Sequence, residues 1–218
     1  MDAAVTVFAN RGIEAASISE ITATAGVSHG IFYYHFRSKT ELLDAVGHAV
    51  AAALVNEVDD AISDVHNGVE RVALATQEFI SRAAAEPEWG WLIVEALGDL
   101  GTFHDQISRG IRKDVAIGIT QGGFAVEPSD LLFASLLSVV SVALRERLQR
   151  PKAPEVEGHA AQFVLRMLGV PAAEALRLTK LVRERRGRQQ VPLKQPNLRS
   201  RYRIQAPHLR SKRLARRP

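Results

Sequence analysis

The sequence contains no cysteine, so neither disulfides nor thiolate metal sites are open to it. No apolar run approaches the roughly 18 to 20 residues that a bilayer-crossing helix needs, and the amino terminus has no charged segment followed by an apolar core. The expected setting is the cytoplasm, with no membrane partner. A glycine-rich phosphate loop and a nucleophile elbow are missing, and none of the seven histidines pairs with another at i and i+4. Helical bundles can hold metals or cofactors, yet the expectation here is no enzyme, no catalytic residue, no metal site and no cofactor. Few segments alternate β-branched with polar residues, which argues against a sheet.

What is present is a chain of 218 residues, 46% of them hydrophobic, enough for a substantial core. Charge is divided unevenly along it. From Lys180 onward 14 Lys or Arg stand against one acid, Glu184, a balance of +13, whereas residues 1 to 179 hold 14 basic and 23 acidic residues, a balance of −9. The high overall pI therefore belongs to the tail and says little about the folded part.

Read in order, Met1 to Arg11 places Val5, Phe8 and Ala9 on one helical face, with Gly12 where a left-handed cap belongs. Ser17 stands three residues before Glu20, a capping-box spacing that predicts a second helix over about Ile18 to Ala25 with Ile21 turned inward. Gly26-Val27-Ser28 predicts a tight turn, in which Val27 plugs the core and Ser28 caps a third helix from His29 to His35. Ile31, Phe32 and Phe36 are the expected buried residues there. Ser38 and Glu41 repeat the capping spacing and open a longer helix carrying Leu42, Leu43, Val46, Val50, Leu54 and Val58. Two capped starts bracketing one short helix specify a helix-turn-helix.

Further helices are expected at about 69–85, 87–100, 103–122, 128–149 and 155–168, with one more from Pro171 to about Glu184. The fold class is thus all-α, a small three-helix unit joined by a continuous helix to a helical body. Beyond about Arg185, Pro192, Pro196 and Pro207 interrupt any periodicity, and the segment is expected to be disordered.

In a helix-turn-helix the second helix of the pair enters the major groove, so its outward residues must offer hydrogen bonds and flat surfaces. Ser28, His29, Gly30, Tyr33, Tyr34 and His35 form that set. Gly30 permits close approach to a duplex, Tyr33 and Tyr34 can donate to phosphates, and Lys39 adds a cation beside the next helix's amino-terminal N–H groups. Taken alone, a Phe-Tyr-Tyr-His-Phe run is as often an aromatic core edge; the flanking caps, turn and lysine tip the balance.

These residues lie in Phe8 to Val46, FANRGIEAASISEITATAGVSHGIFYYHFRSKTELLDAV, which resembles the amino-terminal domain of the TetR family of transcriptional regulators. Phe8, Gly12, Ser17, Ile21, the Ala25-Gly26-Val27-Ser28 turn, Gly30, Phe32-Tyr33, His35-Phe36, Ser38-Lys39 and Leu42-Leu43 carry the resemblance. It implies phosphate contacts from Ser17, Tyr33, His35 and Lys39, and base-edge contacts from among Ser28, His29, Gly30 and Tyr34. It also implies a sequence-specific regulator: a ligand-responsive repressor that binds double-stranded DNA at a palindromic operator as a homodimer. Family members usually carry a basic arm and an extra helical turn before the first helix, whereas Met1 already sits inside it. Either the true start lies upstream or part of the phosphate grip is missing, which would remove roughly two units from the salt slope of binding.

The expected organisation is a helix-turn-helix domain at 1–46, a ligand-binding and dimerisation domain at 47–184 and a basic tail at 185–218. Phe79, Trp89, Trp91, Glu95, Leu97, Phe103, His104, Ile107 and Arg112 are candidates to surround an apolar small-molecule effector, although any one of them is more often ordinary core. The segment 128–149 mixes Leu132, Leu136, Val139, Val140 and Leu144 with small residues, as suits a helix facing both its own core and a partner. Together with 155–168 it forms the expected four-helix homodimer interface, which would set two reading heads about 34 to 36 Å apart or a distorted multiple of that. The tail is either an electrostatic arm for nucleic acid or a terminus without selected function. A tail-driven general nucleic-acid binder is the competing reading, and it predicts equal affinity for unrelated sequences.

Overall fold

The computed structural model describes residues 1–98, 104–153 and 155–188; for Ala9, Glu88, Ala96, Gly98, 104–107 and 181–188 it describes the backbone alone. Among the described residues there are ten α-helices and no strand. The first four are α1 (Asp2–Arg11), α2 (Ile18–Ala25), α3 (His29–His35) and α4 (Lys39–Ala61), and the body follows as α5 (Gly68–Ala84), α6 (Pro87–Gly98), α7 (His104–Thr120), α8 (Asp130–Gln149), α9 (Glu155–Met167) and α10 (Ala172–Arg188). The last helix thus runs through Arg188, four residues into the segment expected to lose structure, because its Ala-, Leu- and Arg-rich sequence meets no proline before Pro192. The rest of the tail, 189–218, lies outside the described residues.

Capping chemistry sets the early boundaries. Ser17 Oγ accepts from the Glu20 N–H at 3.2 Å while Glu20 Oε2 accepts from the Ser17 N–H at 3.0 Å, the reciprocal arrangement that the spacing predicted. Ser38 Oγ accepts from the Glu41 N–H at 3.1 Å, but Glu41 Oε2 reaches one residue further back, to the Arg37 N–H at 2.6 Å. Between α2 and α3, Gly26 takes φ 66° and ψ 31°, and the Val27 N–H closes on the Thr22 carbonyl at 3.0 Å. Gly12 differs from its expectation. Its φ is positive at 81°, but ψ is 157°, so the chain leaves α1 extended and no left-handed cap forms.

Val5, Phe8, Ile21, Phe32, Leu42 and Val46 are buried together in the core of the first four helices. Val27 and Ile31 are not. They are 37% and 47% exposed, because a seven-residue helix buries a single stripe and Phe32, with half-buried Phe36 beside it, occupies that stripe in α3. The stripe of α4 then continues through Val50, Leu54 and Val58 into the body, where α4 packs on α5, α6 and α7. Helix α6 comes so close that a Cβ on Gly47 would lie 2.9 Å from the Leu92 carbonyl oxygen. One rigid 23-residue helix, about 34 Å long at 1.5 Å per residue, is therefore shared by both parts of the molecule.

Candidate nucleic-acid interface and interior cavity

Helix α3 is held by its buried side and presents the rest. Phe32 is 5% exposed and contacts Tyr33 edge-on at 5.2 Å and Phe36 at 5.8 Å between ring centroids. Tyr33 and Tyr34 are 56% and 84% exposed, and Ser28, His29, Gly30 and His35 are exposed with them. The Tyr34 ring lies edge-on to His35 at 5.1 Å. Six of the eight sequence-nominated residues thus share one small, solvent-facing helix and its cap.

Gly30 is informative because the protein does not require it. Its φ is ordinary, and the nearest atom that an added Cβ would meet is Ser28 Oγ at 3.7 Å, in normal contact. Two other nominated residues already have partners. Ser17 Oγ donates to Glu20 Oε2 at 2.9 Å, and the Ser17 bonds, together with Arg11 at 3.3 Å, hold the Glu20 carboxyl below its usual range. A phosphate contact from Ser17 would require that hydroxyl to turn away from Glu20. Lys39 Nζ donates to the Glu14 carbonyl at 3.1 Å, tying the start of α4 to the α1–α2 connection and leaving two of its three protons free. Exposed Arg37, two residues after α3 and one before the Ser38 cap, is a cation that the sequence reading did not nominate. Exposed Ile31 adds an apolar group able to touch a thymine methyl.

In the body, helices α4 to α8 line a small apolar cavity that is partly open to solvent. Phe79 and Leu97 line it, as nominated, together with Val55, Val58, Ile111 and Leu137. Trp89, Trp91, Glu95 and Arg112 are not among the described residues of its wall. Trp89 is buried elsewhere, while Trp91 and Glu95, four apart on α6, lie on its exposed stripe opposite Ile93, Val94 and Leu97. Arg112 spans α7 and α8 instead, with its guanidinium 4.2 Å above the Phe133 ring, Nη2 2.9 Å from Asp130 and Nε donating to Ser108 Oγ at 3.1 Å. Phe103 is outside the described residues, as are the side chains of His104 and Ile107.

Polar residues of the cavity come from a place that sequence reasoning missed. Asp59 on α4, Thr76 on α5 and Asp114 on α7 reach its wall. Behind them Arg71 is 4% exposed and spends every donor nitrogen within the protein. Its Nε bonds Asp114 Oδ1 at 2.6 Å, its Nη1 bonds the Ile62 and Val65 carbonyls at 2.9 and 3.1 Å, and its Nη2 bonds Asp59. Lys113 Nζ closes on both Asp59 oxygens, at 3.0 and 2.7 Å. Lys113, with Arg71 adding to it, holds the Asp59 carboxyl below its ordinary value against the opposing effect of burial. Burial pushes the Asp114 carboxyl up, with Arg71 restraining it. The signal available in the sequence was a lone Arg in the apolar stripe of α5 and a lone Asp in that of α7.

Helices α8 and α9 also leave an apolar surface. Leu131, Val142, Phe163 and Met167 are 78%, 65%, 55% and 37% exposed, beside buried Leu136, Leu144, Val164 and Leu165. No helix among the described residues is long and apolar enough to cross a membrane, and no group of three or more His, Asp or Glu among them could hold a metal ion.

Comparison with known proteins places this geometry. Over 77 residues, 35% of each chain, the sequence is 39% identical to the HTH-type transcriptional activator FasR of Mycolicibacterium smegmatis. Over 72 residues it is 31% identical to the HTH-type transcriptional repressor KstR2 of Mycobacterium tuberculosis, covering 33% of this chain and 36% of that one. The match thus spans about a third of the length of these curated relatives. Among solved structures, RolR bound to resorcinol superimposes with a TM-score of 0.68 at 26% identity over 81% of this chain and 89% of that one. RolR without ligand gives 0.67 at 25% over 82% and 93%. Residues 1–46 match the family described as bacterial regulatory proteins, tetR family, and residues 67–180 match the tetracyclin repressor-like C-terminal domain. With helix-turn-helix and helical body both accounted for, the chain belongs to the TetR family of DNA-binding transcriptional regulators, which are not enzymes.

Proposed function

We propose that the protein is a ligand-responsive repressor that binds a palindromic operator in the cytoplasm as a homodimer. Its reading surface is Ser28, His29, Gly30 and Tyr34 toward base edges, with Tyr33, His35, Lys39 and, once released from Glu20, Ser17 toward phosphates. The division of labour follows 1–46 for DNA, 47–184 for ligand and dimer, and 185–218 for a basic tail.

The observation that carries this reading is the continuity of α4. Its capped start follows α3 directly, and its far end supplies Val55, Val58 and Asp59 to the cavity wall. An effector that binds one tilt of α4 better than another shifts the reading heads by that difference in affinity and no more. RolR, the structural relative solved with resorcinol, supports a small-molecule occupant for the body. The exposed Leu131, Val142, Phe163 and Met167 supply a twofold contact between α8 and α9 of two copies.

Footprinting of the intergenic DNA beside the protein's own gene tests the reading. The expected result is protection of one palindrome at concentrations that leave a scrambled duplex free. Equal protection of both would replace it with general, tail-driven nucleic-acid binding.

A further inference from the structure

Among the described residues, the polar side chains that line the cavity offer hydrogen-bond acceptors alone. Thr76 is 5% exposed, and its hydroxyl proton is committed to the Val72 carbonyl at 2.8 Å, so only its oxygen lone pairs remain. Asp114 is 3% exposed and gives Oδ1 to Arg71; among the described residues nothing donates to its Oδ2. Asp59 accepts from Arg71 and Lys113 and keeps further lone pairs. Of the nearby donors, Arg71 gives four of its five N–H groups to Asp114, Asp59, Ile62 and Val65, and Lys113 turns its ammonium to both Asp59 oxygens. The charges are also balanced, two carboxylates against the Arg71 guanidinium and the Lys113 ammonium. The rest of the described wall is apolar.

From this we propose that the effector is a compact, uncharged, apolar molecule that brings its own hydrogen-bond donor, a hydroxyl aimed at Asp114 and Asp59. The inference rests on the reading of the cavity as the effector site and names the ligand class. A carboxylate or phosphate has no proton to give, and it would set a negative charge against Asp114 in a poorly solvated space. A purely apolar ligand would leave the Asp114 oxygen desolvated and unpaired. An ammonium meets carboxylates that Arg71 and Lys113 have already neutralised. Occupation of the Asp59 end would also act on the contacts that fasten the last turns of α4, which links the ligand's hydroxyl to the reading head.

Calorimetric titration of the full-length protein near pH 7 with 4-ethylphenol, its methyl ether and 4-ethylbenzoate tests the inference, since the phenol is then neutral and the benzoate ionised. The phenol is expected to bind at least about tenfold more tightly than either analogue, because a site built around a hydroxyl rejects its absence strongly. In Asp114→Asn the amide oxygen can serve Arg71 and its NH₂ turns a donor toward the cavity, so the phenol's advantage should vanish. Should that variant fail to fold, the three-probe comparison on the unaltered protein decides alone. Equal or tighter binding of the ether or the benzoate, or no binding of the phenol, overturns the inference. Selective operator binding measured in the same samples keeps the two claims apart. Its persistence alongside such a result leaves the regulator standing, and its absence removes the regulator instead.

Discussion

Arg71 Nε lies 2.6 Å from Asp114 Oδ1, and both side chains are 5% exposed, in the interior of the body between α5 and α7. The same guanidinium grips the end of α4 through Asp59 and the Ile62 carbonyl. Burial works against the Arg71 charge, but Asp114 and then Asp59 more than offset it and raise its affinity for the proton. Breaking one side of such a pair leaves a buried charge without its partner. Arg71→Met should therefore destabilise the protein by about 3–5 kcal/mol in urea unfolding. The double variant Arg71→Met, Asp114→Asn should recover much of that loss, and a double variant no more stable than the single would count against this account of the pair.

Acid sensitivity should trace to Asp59. Its carboxyl sits below the ordinary 3.8 because Lys113 and Arg71 favour the ionised form more than burial disfavours it. Its contribution is therefore complete above that ordinary value and is lost as pH falls through the lowered one. Asp114 has the opposite sign, since burial raises it and its contribution diminishes as pH climbs through the raised value. Asp59→Asn should flatten the fall in stability below about pH 4, read from unfolding midpoints across a pH series. An unchanged acid limb would show that the fall comes from other carboxylates.

Gly30→Ala separates folding from recognition. The new methyl group meets only Ser28 Oγ, at 3.7 Å, in a helix with ordinary φ. Stability should hold or rise by up to about 1 kcal/mol, while operator affinity falls because the helix can no longer approach the duplex as closely. A variant that is as stable and binds equally well would remove Gly30 from the reading surface.

Phe163→Glu places a charge on the exposed apolar face of α9, where Phe163 is 55% exposed. Sedimentation should shift from dimer toward monomer with the helical signal intact, and operator binding should weaken with it. A dimer that survives the change uses another face.

The parts legible in the sequence were those written in local chemistry. Ser17, Ser28 and Ser38 each bond the backbone N–H three residues on, and that spacing gave the starts of α2, α3 and α4 as observed. The family resemblance of 8–46 reads the same residues. What stayed hidden depends on neighbours distant in sequence. Periodicity put Val27 and Ile31 in the core because both are apolar, yet a short helix had only one stripe to bury. Bulk and aromaticity pointed to Trp89 and Trp91 for the cavity, whereas its wall is assembled from five helices and its polar groups, among the described residues, are Asp59, Thr76 and Asp114. No local pattern states that Arg71 and Asp114, 43 positions apart, meet.

The central claim is that the exposed face of α3 reads sequence. Fluorescence anisotropy of the protected palindrome against a scrambled duplex at fixed salt, for the unaltered protein and Tyr34→Ala, tests it most directly. A preference of at least about 10³ for the palindrome is expected. Removing Tyr34, 84% exposed and so without consequence for the fold, should lower that affinity by tenfold or more. Equal binding to both duplexes, or an affinity indifferent to Tyr34, would contradict it.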